Sequence, residues 1–131
     1  MKQATSTLIT FIVILGCIYT YGCNIKLKVT SETENVFKFQ VTVPSIEYES
    51  EPLTFEKNDT KLLVIKGKNC NSKKWKIQTW KKDEETGAFI KAKSFEAKFE
   101  GTGYMRMMVG DNYTPWINDR EGIFCSEGQC M

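Results

Sequence analysis

"KWKIQTWKKDEETGAFIKAK", residues 74–93, carries the clearest structural signal in the chain. Read in steps of two, Trp75, Ile77 and Thr79 share one face while Lys76, Gln78 and Trp80 share the other. A helix would scatter both sets around its circumference, so the run is a strand with one side turned inward. "DEETG" at 83–87 then interrupts with acids and a glycine, and "AFIKAK" resumes an extended run. Strand, turn and strand make a hairpin, the unit of antiparallel sheets.

The same period continues outward. "NIKLKVT" (24–30) sets Ile25, Leu27 and Val29 against Lys26 and Lys28, and "VFKFQVTV" (36–43) aligns Phe37, Phe39, Val41 and Val43. "PLTFE" adds Leu53 and Phe55. "KLLVIKG" (61–67) is apolar on both faces from Leu62 to Ile65, as expected of a central strand. "SFEAKFE" alternates Phe95, Ala97 and Phe99 with Glu96, Lys98 and Glu100, "YMRMMV" supplies Met105, Met107 and Val109, and "GIF" closes the set. "GTG" at 101–103 reads as a second hairpin turn. No convincing helical period occurs. Seven or eight short strands in one domain imply an all-β fold, a small antiparallel β-sandwich held by disulfides, with a small closed barrel as the alternative.

The N-terminus points to export. "LITFIVILGCI" (8–18) is an eleven-residue apolar run behind Lys2, the length of a signal-peptide core and too short to cross a bilayer comfortably. Small residues at Thr20 and Gly22 place cleavage before Cys23, giving a signal peptide at 1–22 and a secreted, extracellular domain at 23–131. Lys2 leaves with the leader, so 17 basic side chains face 16 acidic ones and the net charge is +1. No overall field draws such a chain to nucleic acid or membrane. No stable membrane insertion is expected after cleavage, and an electrostatic partner must be recruited by a local patch.

Cys23, Cys70, Cys125 and Cys130 remain after cleavage. An even number in a small exported domain implies two disulfides, and a lone C-x4-C spacing argues against zinc. The preferred pairing is Cys23–Cys130 with Cys70–Cys125, on the premise that domain termini lie close together. Chain entropy points the same way: the roughly 56-residue Cys70–Cys125 loop stabilises by about 4 kcal/mol, against about 2 kcal/mol for a Cys125–Cys130 ring. The rival joins Cys125 to Cys130 and leaves Cys23 to meet Cys70.

The chain has no histidine. Histidine-based triads, histidine acid–base chemistry and the usual zinc-hydrolase ligands are thereby excluded. Nucleophile-elbow, phosphate-loop and dinucleotide motifs are missing as well, so neither catalysis nor a cofactor is expected. The segment "MVGDNYTPWINDREGIFC" (108–125) offers Asp111, Asn112, Asp119 and Glu121 as calcium-type donors, and Tyr113 and Trp116 as sugar platforms. The absence of any EF-hand spacing makes a decorated turn the expectation, with no metal. Asn58 in "NDT" and Asn112 in "NYT" are glycan acceptors, the second weakened by Pro115. Eight lysines crowd residues 61–82. Strict alternation puts Lys74, Lys76, Trp80 and Lys82 on one face with Gln78, and Lys66 and Lys68 would extend it if that strand lay alongside. Tryptophan among lysines suits an anionic glycan, acidic lipid headgroups or an acidic extracellular partner protein, and no nucleic-acid partner is expected. A binding module is therefore expected. The alternatives are a lipid carrier lined by Phe37, Phe39, Phe55, Phe95, Phe99, Met105 and Met107, or a protease inhibitor.

Overall fold

Alternate residues vanish from solvent from the first strand onward. A computed structural model describes residues 22–130; the expected signal segment lies, Gly22 apart, outside them. β1 (Cys23–Ser31) buries Cys23, Ile25, Leu27, Val29 and Ser31, and β2 (Phe37–Val43) buries Phe37, Phe39, Val41 and Val43. A 3-10 turn at Pro44–Ile46 leads to β3 (Tyr48–Glu49) and β4 (Leu53–Phe55), and then come β5 (Thr60–Gly67) and β6 (Trp75–Lys82). β7 (Phe89–Val109) and β8 (Pro115–Gly128) complete the set, so the described residues are nearly all-β. The expected 83–87 turn is present: Asp83 and Gly87 close it through backbone bonds to Ala88 and Asp83, and Thr86 Oγ1 donates to Asp83.

The strands form one mixed sheet ordered β3-β2-β6-β7-β1-β5, with β4 also on β2 and β8 on β7, curled into a half-barrel. β7 is its spine. Along one edge β6 pairs with β7 from Phe89 to Ala97, and β1 takes over from Gly101 to Val109. β8 covers the opposite edge from Ala97 to Val109. The inner faces of both halves meet in a single core. Phe37 stacks on Phe55 at 5.0 Å, and Trp75 stands edge-on to Phe99 at 5.2 Å. The five phenylalanines and two methionines weighed as a lipid lining are at most 1% exposed and belong to this packed cluster.

Four expectations change. The β1–β7 pair is parallel while the others are antiparallel, because no short connection ties β1 to β7 and fixes their relative direction. "GTG" is no turn, since β7 runs through it for 21 residues. Gly101 (φ 116°) and Gly122 (φ 74°) let β7 and β8 press together: a Cβ on Gly101 would fall on the Gly122 carbonyl oxygen, and one on Gly122 would fall on that of Thr102. The glycines serve close approach and a register shift, not reversal. β5 is terminal in the sheet rather than central, so Leu62 and Val64 face outward and are exposed while Ile65 is buried.

The fourth change concerns the cysteines. Cys23 pairs with Cys70 and Cys125 with Cys130, at Cα separations of 5.9 and 5.7 Å. Cys23 lies opposite Gly101, whereas the chain beyond β8 returns to Glu96, where Gln129 N–H donates to the Glu96 carbonyl. Five residues of strand, roughly 16 Å, on opposite edges of β7 hold Cys23 from Cys130. A disulfide tolerates a Cα separation of only about 7 Å. Loop-closure entropy acts on the unfolded chain and does not choose between folded geometries.

Peptide mapping under non-reducing conditions should return a peptide holding both Cys125 and Cys130, and a second linking Cys23 to Cys70. Trp75→Phe keeps an aromatic ring but strips the indole N–H that donates to the Cys70 carbonyl at 2.8 Å. Its expected cost in urea unfolding is about 1–3 kcal/mol. No change in midpoint would show that this bond is dispensable.

Candidate binding face

β6 lies between β2 and the first part of β7, so its outward residues meet neighbours on both sides. Lys38, Trp80 and Lys91 form one cross-strand row, followed by Gln40, Gln78 and Ser94, and then Thr42, Lys76 and Glu96. The rows owe their register to a bulge: Gln78 faces Ser94, but Trp80 faces Lys91, so β7 spends three steps where β6 spends two. Thr79, fully buried, fills the irregularity. Its hydroxyl donates to the Tyr113 carbonyl at 2.8 Å and accepts the Lys93 N–H at 3.3 Å. Gln78 Nε2 donates to the Lys93 carbonyl at 2.9 Å. A polar side chain on the core side of β6 thus brings Lys91, not Ala92, beside Trp80.

Outside the sheet the result is a shallow depression floored by Gln40, Gln78 and Trp80, flanked by Lys76 and Lys91, with Glu49 at its rim. Gln40 Nε2 is committed to the Ser50 carbonyl at 2.9 Å and to Glu49 at 3.2 Å. The ammonium of Lys38 sits 4.5 Å over the Phe89 ring. The ion pairs among the described residues are Lys57–Glu34 at 2.7 Å and Lys98–Glu127 at 2.9 Å. Lys98 holds the Glu127 carboxyl below its ordinary range. Lys38, Lys76, Lys82 and Lys91 take part in neither pair.

Of the residues expected on this face, Lys76 and Trp80 are together. Lys74 precedes β6, and Lys82 ends it beside Asp83 and Glu84 in a separate depression shared with Glu34. Lys66 and Lys68 do not extend the patch: β7 and β1 stand between β6 and β5. Lys38, Phe89 and Lys91 belong to the face; alternation in β2 turns Lys38 outward, but strict alternation back from Phe95 would turn Phe89 and Lys91 inward, and only the β7 bulge brings them out. Trp116 is exposed, whereas Trp80 is half-buried, and it lies on β8 opposite Met108 in the other half of the sheet.

The 108–125 segment separates its acids. Asp111 sits in the turn, while Asp119 and Glu121 lie along β8 opposite Arg106 and Tyr104. The Tyr104 hydroxyl donates to Asp119 at 3.3 Å. The negative charge of Asp119, aided by burial and by Glu121, raises the phenol pKa. Asn112 Oδ1 accepts the Thr114 N–H at 3.1 Å, and Tyr113 adopts φ 63° to complete the turn. Asn58 is exposed in a turn at φ 62°. No group of three or more metal-ligating side chains occurs among the described residues.

The turns at 32–36, 56–59, 83–88 and 110–114 gather at one end of the molecule, because Ser31 faces Val109, Thr30 faces Thr60, and Phe37 faces both Phe55 and Lys81. They carry Glu32, Glu34, Glu56, Asp59, Asp83, Glu84, Glu85 and Asp111. Acids thus collect at a pole and lysines on the sheet. No protein-family model matches the chain, and no curated protein is significantly similar to it.

Thr79→Val should lower stability by about 1–3 kcal/mol, since it removes the hydroxyl that bonds the partly buried Tyr113 carbonyl and Lys93 N–H. Trp80→Ala, on the outer face, should change it by less than about 1 kcal/mol. Equal losses in chemical denaturation would mean that Trp80 is a structural residue rather than a surface available for contact.

Proposed function

We propose that the protein is a secreted, non-enzymatic binding module whose β2–β6–β7 outer face takes an anionic extracellular partner, an acidic protein or an anionic glycan. One observation carries the reading: Trp80 flanked by Lys38 and Lys91 in a single row, with Lys76 beside the same depression. An indole among ammonium groups offers an apolar platform for a sugar ring or side chain and charge for its acidic substituents. The acidic pole repels such a partner and confines it to the sheet. Export is supported by the eleven-residue apolar leader, by two disulfides, and by the exposure of Asn58 and Asn112 as glycan acceptors. The lining residues of the lipid-carrier alternative are packed together in the buried core cluster among the described residues.

Heparin serves as the test polyanion. The oxidised protein should be retained above physiological salt, and retention should fall steeply as salt rises. Lys76→Glu/Lys91→Glu should elute near the void. Elution of the wild type at physiological salt, or identical elution of the two proteins, would overturn the reading.

A further inference from the structure

The outer face of the other half of the sheet, built on β5, β1 and the second part of β7, carries a different surface. Leu62 and Val64 are 58% and 50% exposed at the rim strand. Leu62 lies opposite Lys28 and Val64 opposite Lys26 on β1; beyond them on β7 stand Arg106 and Tyr104. Lys66 follows Val64 two residues on, pointing the same way. At strand spacings the four cations and two aliphatic side chains share a patch roughly 15 Å across. None of these cations takes part in an ion pair among the described residues. We infer that this face docks peripherally on an anionic lipid bilayer.

The combination selects the partner. A soluble polyanion would satisfy the lysines and gain nothing from Leu62 and Val64, whereas a bilayer interface offers acidic headgroups and an acyl boundary together. Lysine stems lie along apolar surface with their ammonium groups kept at headgroup level, so Lys26 and Lys28 flank the aliphatic pair without opposing its contact. Asp119 and Glu121 stand on β8 directly opposite Arg106 and Tyr104, at the far edge of the patch and two strands from Lys26 and Lys28, and Asp119 is engaged by Tyr104. Two side chains at a sheet rim give reversible contact, not insertion. This binding is independent of the Trp80 face, which belongs to the other half of the half-barrel.

The full oxidised chain is sedimented with vesicles of phosphatidylcholine, and with vesicles of phosphatidylcholine mixed with phosphatidylserine. The readout is the increment due to phosphatidylserine, which separates attraction to acidic headgroups from purely apolar contact. A basic residue near such a surface contributes about fivefold in partitioning, so the wild type should bind the mixed vesicles at least about tenfold better. Lys26→Glu/Lys28→Glu should remove most of that increment, yet keep the heparin retention that depends on Lys76 and Lys91. Leu62→Ser/Val64→Ser should weaken mixed-vesicle binding about fivefold or more and tests the same face without charge reversal. The inference fails if partitioning ignores phosphatidylserine, or if both folded variants bind like the wild type. It also fails if Lys26→Glu/Lys28→Glu loses heparin rather than vesicles, which would make a polysaccharide the partner of this face.

Discussion

The sheet depends on the point where β7 changes partners. Between Ala97 and Gly101 the strand leaves β6 and joins β1, and at that fork the starts of β6 and β1 must be held side by side. Trp75 and the Cys23–Cys70 disulfide hold them: the indole donates to the Cys70 carbonyl and packs edge-on to Phe99, while the bridge ties the first residue of β1 to the loop preceding β6. The bridge spans a sequence separation of 47, which chain entropy values at about 4 kcal/mol. A buried aromatic of this size contributes a large apolar area besides. Without the fork the two halves would have no common core, and their outer faces no fixed relation.

Charge is sorted by topology. Four reversals meet at one end, and reversals favour the acidic and polar residues that turns need, so carboxylates accumulate there. Lysines occupy outward strand positions, where long side chains cover apolar surface and keep their charge in water. A nearly neutral chain is therefore locally polarised, with an acidic pole and two basic sheet faces of different character. One face carries an indole and amides, the other two aliphatic side chains.

Interior and exterior are coupled at Thr79. Its hydroxyl, within the core boundary, satisfies the β7 bulge and reaches the Tyr113 carbonyl of the β7–β8 turn. The same bulge moves Lys91 into the Trp80 row. A core polar residue thus sets the composition of a surface several ångströms away, and it joins the acidic-pole turn to the floor of the candidate face.

Sequence alternation alone was enough to tell the buried side of β1, β2 and β6, and of β7 beyond its bulge. Period two put Trp75, Ile77, Phe95, Phe99, Met105 and Met107 inside and Lys76, Gln78 and Trp80 outside, since pleat alternation belongs to a single strand. The sequence also determined the 83–87 hairpin, whose partners are adjacent in the chain, and the presence of two disulfides. Which strands lie side by side followed from long-range packing. Placing β5 at the rim removed Lys66 from the Trp80 face and exposed Leu62 and Val64; packing β2 beside β6 brought Lys38 in; and the parallel β1–β7 pair carried Cys23 to Cys70. "GTG" misled because glycine signals positive φ and close backbone approach alike, and here Gly122, across the strand pair, makes it the second. Neighbour relations rest on contacts between residues far apart in sequence, and local alternation holds no record of them.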